Sequence, residues 1–290
     1  MQDAYGGGSA QVSVAADVTT ADDGNDTHSI KASVTPVKGA VAYAWFWGAN
    51  GGDILLGAIT NINSVLLTNP MAAGAQKVAD LPASDNSKNL LIFDGLIAQI
   101  AAANSGAYVY AMPTGTPGAG TPLTADGAGG IVEINNALKS FWDNYRLSPD
   151  VMYVNAQELG NITAKVIAGG AAPLFRFNVD AQKGAVADVT LTAGSVVGFY
   201  LNKYTMGGGQ LVKVMLHPNV PPGLIIFRCV QIPYALPNVQ NILEVKTTRD
   251  YYQIDWPLRT RQYELGGYYR GVLRNRFTPA YGMIYNIANG

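Results

Sequence analysis

The sequence is poor in the side chains that build most catalytic and metal sites. It contains one cysteine, Cys229, and two histidines, His28 and His217, which are far apart in the 290 residues. A single cysteine excludes an internal disulfide framework and a zinc site built from cysteines. Cys229 lies in the apolar run 224–230, so we expect it to be a small buried side chain.

Motifs for catalysis and for nucleotide binding are also missing. No serine stands in a nucleophile-elbow pattern, and the glycine run at 206–210 lacks the Gly-Lys-Ser/Thr of a phosphate-binding loop. That run instead predicts a hairpin turn between two strands. We therefore predict that the chain is not an enzyme and that it has no cofactor and no metal site.

Long apolar runs are absent. No run reaches the ~18 residues of a membrane-spanning helix, and the first residues lack the basic and apolar regions of a signal peptide. We expect no membrane partner.

Charged residues are scarce and unevenly placed. They make up 13 % of the chain, against a usual share of roughly 25 %. The 19 basic and 20 acidic residues give a net charge of −1, too little for a domain with a basic nucleic-acid-binding face. Residues 1–140 sum to −6 and residues 141–290 to +5. Such halves attract each other, within one chain or between chains, which indicates assembly.

The first part of the chain divides into a polar stretch and a β-rich stretch. Residues 1–27 are predicted to be a linker or a processed N-terminal segment. Alternating apolar residues predict a small all-β module over residues 28–80. Within it Tyr43, Trp45 and Trp47 fall on one face of a strand.

The remainder, residues 81–290, is predicted to be an α+β domain. Apolar residues at helical spacing predict helices at 88–104, 131–146 and 156–168, and a loop is expected at 113–130. The strands predicted around and after them are 151–154, 174–179, 186–191, 195–204, 210–216, 223–230, 241–248, 262–272 and 281–288.

The C-terminal stretch 244–276 carries the strongest functional signal. Arginine alternates there with tyrosine and tryptophan, a composition typical of protein contact surfaces and of platforms that bind nucleic acid. Interspersed carboxylates favour protein contacts, because they offer fixed arginine–carboxylate pairs. The residues expected to form a subunit interface are Arg249, Tyr251, Tyr252, Trp256, Arg259, Arg261, Tyr268 and Arg270.

Several short sequence segments, taken in order, resemble those of a known family. These are NLLIFDGL at 89–96, SPDVMYVN at 148–155, KVMLHP at 213–218, RDYY at 249–252 and MIYNI at 283–287. Together they resemble the major capsid (head) protein of tailed double-stranded-DNA bacteriophages. The stretch from Thr35 to Trp45 is similar instead to the immunoglobulin-like or fibronectin-type modules of some phage structural proteins.

The resemblance implies a fold and a function. The fold would be the α+β phage major capsid fold, with peripheral and axial domains, plus a small all-β immunoglobulin-like module. The chain would be a structural virion protein of a phage or prophage that self-assembles from pentamers and hexamers into an icosahedral shell. That shell encloses double-stranded DNA without sequence-specific binding. Scaffold or portal proteins would be its partners, first in the host bacterial cytoplasm and then in the virion.

Two other functions remain open from the residues. The stripe of Tyr43, Trp45 and Trp47 could stack on sugars, as in a carbohydrate-binding surface protein, or the chain could be a phage tail or decoration protein. A hydrolase that uses only carboxylates is the third alternative.

Overall fold

The computed structural model describes residues 8–20, 28–68, 76–87, 93–168, 198–230, 232–233, 241–257 and 265–288. This part of the chain is mainly β, with 36 % of its residues in strands and 18 % in helices. It contains twelve strands and three α-helices. The predicted α+β capsid fold, with its peripheral and axial domains, is therefore wrong.

The helices differ from the prediction mainly at the first of them. A helix was expected over 88–104, but helix α1 covers only Leu96–Ala101. Gly95 precedes it with an extended backbone, and glycine is the poorest helix former after proline. The other two predictions are confirmed by helices α2 (Val132–Tyr145) and α3 (Ala156–Ala168). No helix in the described ranges is long and apolar enough to cross a membrane.

A six-stranded mixed sheet forms the centre of the molecule. Its strands, in spatial order, are β5 (Tyr108–Ala111), β12 (Tyr281–Tyr285), β9 (Ile225–Arg228), β6 (Val151–Val154), β8 (Gln210–Leu216) and β7 (Phe199–Asn202). β12 runs parallel to β5, β6 runs parallel to β8, and the other neighbours are antiparallel. The predicted turn at 206–210 joins β7 to β8. The strands predicted at 174–179 and 186–191 lie outside the described residues.

Helix α2 packs on this sheet through a small aromatic cluster. The ring of Phe141 lies 6.0 Å from the rings of Tyr108 and Phe227, measured between centroids. Gly282 on β12 allows this approach, because a Cβ atom there would lie 2.7 Å from Cζ of Phe141 and 2.9 Å from Cβ of Tyr108. Cys229 follows β9 and is buried as predicted, which raises the pKa of its thiol.

Four strands near the N-terminus form two separate two-stranded sheets. β1 (Ile30–Ser33) pairs with β4 (Ser64–Leu67), and β2 (Tyr43–Trp47) pairs with β3 (Leu55–Thr60). An immunoglobulin sandwich needs about seven strands and roughly 100 residues. The predicted immunoglobulin-like module is therefore wrong, since this stretch is too short to build two packed sheets.

A buried pair of asparagines ties these strands to the central sheet. The backbone N–H of Asn63 donates to Oδ1 of Asn286 over 2.8 Å, and Nδ2 of Asn286 donates to Oδ1 of Asn63 over 3.0 Å. Asn286 directly follows β12 in the left-handed region, with φ 64°, and its Nδ2 also donates to the carbonyl of Met112. Each buried amide thus has its hydrogen-bond partners, and the first β strands are held against the end of β12.

The two remaining strands form a long antiparallel ribbon. β10 (Leu243–Asp255) pairs with β11 (Leu265–Asn275), and both strands extend beyond the predicted 241–248 and 262–272. Thirteen residues in extended conformation span about 40 Å.

One carboxylate is fully buried near the start of α3. Oε1 of Glu158 accepts the backbone N–H of Gly223 over 3.1 Å, and Oε2 accepts Nδ2 of Asn161 over 3.4 Å. Burial raises the pKa of Glu158 to about 6, because the charged form loses its hydration. Its hydrogen bonds hold the loop before β9 against α3.

Substitution of Gly282 by alanine tests the close packing of α2 on β12. We expect Gly282→Ala to destabilise the fold by about 1–3 kcal/mol, because the new methyl group overlaps the ring of Phe141 and the Cβ and carbonyl oxygen of Tyr108. Urea denaturation followed by circular dichroism measures the change. Gly160→Ala is the matched control: a Cβ atom at this position in α3 meets nothing within 4 Å, so it should stabilise by up to ~1 kcal/mol. Equal midpoints for the two variants would contradict this account.

The buried Glu158 predicts a pH-dependent stability. Its folded-state pKa lies above the unfolded value, so protonation favours the folded state and the cost of burying the charge grows as pH rises from about 4.5 to 6. Glu158→Gln removes this cost and should stabilise the protein at pH 7.5 by about 2 kcal/mol, but have little effect at pH 4.5. Urea unfolding at both pH values measures this. An equal difference in the free energy of unfolding between variant and wild type at both pH values would refute this prediction.

Candidate interaction surface

The ribbon, residues 243–255 and 265–275, is attached to the rest of the chain at one end. Next to that end the N–H of Arg276 donates to the carbonyl of Ile242 over 2.9 Å, and Nε2 of Gln99 donates to the carbonyl of Leu273 over 3.0 Å. Nη2 of Arg276 lies 2.9 Å from Oε1 of Glu244, and this pair lowers the pKa of Glu244. No other helix or strand of the described chain packs extensively on the ribbon.

The strand register divides the ribbon into two faces. Residues directly opposite each other in an antiparallel pair share a face. Arg249 is opposite Arg270, and Tyr252 is opposite Tyr268. We call this the arginine face. Its residues are Glu244, Lys246, Arg249, Tyr252, Ile254, Tyr268, Arg270, Val272 and Arg274.

Irregular pairing sends one predicted residue to the opposite face. The register shifts between Thr247 and Arg249 and again between Arg249 and Tyr252. An extra residue in one strand re-aims its neighbours. As a result Tyr251 lies with Tyr269 on the opposite face, with ring centroids 5.0 Å apart.

A layered stack lies at the middle of the arginine face. The guanidinium carbon of Arg249 is 4.1 Å from the centre of the Tyr252 ring, a distance typical of cation–π attraction. The Tyr252 ring stacks on Tyr268 at 5.6 Å with an interplanar angle of 25°. Gly266 gives the Tyr268 ring its space, because a Cβ atom there would lie 2.6 Å from Cε2 of that ring. The three side chains thus hold one another in place.

Apolar side chains on both faces of the ribbon are exposed. Tyr251 is 85 % exposed, Leu265 68 %, Val245 53 % and Val272 52 %. A concentration of exposed apolar and aromatic side chains on one element is typical of an interaction surface. The ribbon is therefore the candidate functional site of this chain.

The structure locates six of the eight residues expected from the sequence. Arg249, Tyr252, Tyr268 and Arg270 share the arginine face, and Tyr251 lies on the opposite one. Trp256 follows the end of β10 and is half-exposed. Arg259 and Arg261 lie outside the described residues. For all eight, the role in a subunit interface stays a prediction.

The sequence analysis missed the aliphatic part of this surface. Val245, Leu265 and Val272 are as exposed as the aromatic residues, and Lys246 lies opposite Val272. Leu265 and Val272 stand next to Gly266 and Gly271 and not in an alternation of apolar and charged residues, so no local pattern marks them.

The aromatic stripe near the N-terminus is half-buried against its own sheet. Nε1 of Trp45 donates to Oγ1 of Thr60 over 2.7 Å, and the oxygen of Tyr43 accepts the N–H of Val37 over 2.9 Å. The Trp47 ring lies directly over Gly57. Gly57 thus covers one face of the Trp47 ring, so that face is not open for stacking on a sugar.

Comparison with known proteins found distant structural similarity but no family match. No protein-family model matches the chain, and no curated protein matches it. Among solved structures, the chain is similar to the holo-SrpI encapsulin complex from Synechococcus elongatus PCC 7942, with 14 % sequence identity and a TM-score of 0.33. The match covers 67 % of this chain and 56 % of that one, so this chain spans little more than half of the encapsulin's length. At this TM-score the similarity carries no argument about function.

Proposed function

We propose that this chain is a structural subunit that associates with copies of itself, through the ribbon, into a closed shell. The observation that carries the proposal is a ribbon of about 40 Å with apolar and aromatic side chains exposed on both faces. A two-stranded ribbon alone is marginally stable in water, and burial between neighbouring molecules would remove its apolar surface from water.

The distribution of charge favours contacts between unlike surfaces of identical chains. Residues 141–290, which include the ribbon, sum to +5, and residues 1–140 sum to −6. A basic surface of one copy then meets an acidic surface of the next, which is a head-to-tail contact. Such contacts generate closed rings when the rotation between neighbours closes. Repetition of weak contacts around a ring makes the whole assembly stable.

The more specific form of the proposal is the major capsid subunit of a tailed phage or prophage. The short phrases between residues 80 and 290 suggest it, and pentamers and hexamers in a virion would then enclose double-stranded DNA. The net charge of −1 is compatible with a shell that encloses DNA without binding it tightly. Particles that contain nuclease-protected double-stranded DNA would support this form, and particles without it would support a shell of another kind.

The oligomeric state of the purified chain tests the general proposal. Light scattering and negative-stain electron microscopy of the wild type should show rings or closed particles. Val245→Ser, Leu265→Ser and Val272→Ser, combined in one variant, should raise the concentration needed for assembly by about 100-fold or more. The reason is that each buried aliphatic side chain contributes about 1.5–3 kcal/mol.

A single variant outside the ribbon controls for general loss of apolar surface. Met206→Ser changes a side chain that is 87 % exposed in the β7–β8 turn and should leave assembly unchanged. Circular dichroism confirms that all variants remain folded. A wild type that stays monomeric at high concentration, or a triple variant that assembles like the wild type, would refute the proposal.

A further inference from the structure

Two arginines oppose each other at the centre of the ribbon. Arg249 and Arg270 are direct cross-strand partners, both exposed, and like charges in this arrangement repel. The ion pairs that the described residues form on the ribbon join Glu244 to Lys246 and to Arg276. Within the described ranges, neither Arg249 nor Arg270 therefore lies at ion-pair distance from a carboxylate.

The rings of Tyr252 and Tyr268 hold Arg249 in an orientation suited to binding a ligand. Arg249 lies with its guanidinium over Tyr252, which is itself stacked on Tyr268. A guanidinium held over a ring loses little further freedom on binding, and the N–H groups on its edge stay available. Two N–H groups in that fork match the two oxygens of a carboxylate. The arginine face is thus pre-organised for an acidic group.

We infer that Arg249 and Arg270 bind carboxylates in the acidic half, residues 1–140, of a second copy of the chain. The inference rests on the proposed function and names the partner chemistry of its contact. Charge complementarity supports the second copy as the occupant, because 1–140 sums to −6 and 141–290 to +5. The described acidic half offers exposed carboxylates, such as Asp80, which accepts the backbone N–H of Lys77, and Asp85, which accepts the backbone N–H and the side chain of Ser87.

The composition of the arginine face favours a protein over a nucleic acid. Val272 and Ile254 are exposed on the same face as the arginines, and the carboxylate of Glu244 lies at one end of it. Aliphatic side chains gain free energy when they pack against another protein, whereas a polyanionic backbone would leave them in water and be repelled by Glu244.

Charge reversal of the two arginines is the first test. Arg249→Glu with Arg270→Glu should weaken self-association at least 100-fold in light scattering, while circular dichroism stays unchanged. Arg249→Lys with Arg270→Lys should weaken it about tenfold, because lysine keeps the charge but lacks the planar fork. Lys203→Glu with Lys213→Glu is the matched control, since it changes the charge of the basic half equally at two exposed positions outside the ribbon.

Cross-linking between copies then locates the acidic partner. Equal amounts of ¹⁴N- and ¹⁵N-labelled wild-type protein are mixed, assembled and treated with a carbodiimide, which joins amines to carboxylates. Lys246 is the amine on the arginine face. Peptides with mixed labels should join Lys246 to acidic residues within 1–140. Mixed-label cross-links of Lys246 only to 141–290, or none in assembled protein, would overturn the inference.

The outcomes separate this inference from the proposed function. A monomeric wild type refutes both. If the wild type assembles and the glutamate double variant assembles equally well, this inference alone is refuted. It is also refuted if the control variant of Lys203 and Lys213 weakens assembly as much as the glutamate double variant does.

Fluorescence anisotropy with a 20-nucleotide oligo-dT tests the alternative that the arginine face binds nucleic acid. Micromolar binding that only the glutamate double variant loses, with unchanged assembly, would assign the arginine face to nucleic acid and overturn the inference.

Discussion

The position of β12 between β5 and β9 is the constraint on which the other described parts of the structure depend. Strand β12 is buried along its whole length and meets α2 at Gly282, where the absence of a side chain allows the ring of Phe141 and the Cβ and carbonyl oxygen of Tyr108 to approach. Directly after it, Asn286 binds Asn63 and thereby holds the N-terminal strands against the central sheet. The ribbon ends a few residues before it. One strand near the end of the chain thus connects the sheet, the helix layer, the N-terminal strands and the ribbon.

The ribbon is stabilised differently from the central sheet. Its residues alternate as strand residues do, but neither face is covered by another described element, so pairing between the strands and contacts at the base hold it in place. No described element buries its exposed tyrosines and aliphatic side chains, and their burial by a second molecule would gain free energy. The opposed arginines and the stacked tyrosines add directional chemistry to that surface. The proposed self-assembling subunit would account for these features together.

Local regularities were predicted well. The helices α2 and α3, the strands at 151–154 and 210–216, and the buried state of Cys229 follow from side chains within a few residues of one another, and the structure confirms them. The prediction of the first helix was wrong at its start, because the extended backbone of Gly95 precedes the helix where apolar spacing alone had placed helical residues. The overall class failed for a related reason. Three helices among many short strands suggested α+β, although one of the helices has only six residues and the strands dominate the described residues.

The sequence by itself determined which residues alternate, where most turns fall, and that arginine and tyrosine concentrate near the C-terminus. It also determined the opposite charges of the two halves, because these are sums over residues that need no coordinates. Only the tertiary structure decided which side chains share a face. Two register shifts in the ribbon bring Arg249 opposite Arg270 and place it on the face of Tyr252 rather than on that of Tyr251. Strand pairing joins residues about 20 apart in the chain, and a shift of one residue exchanges the faces, so no local pattern contains that information.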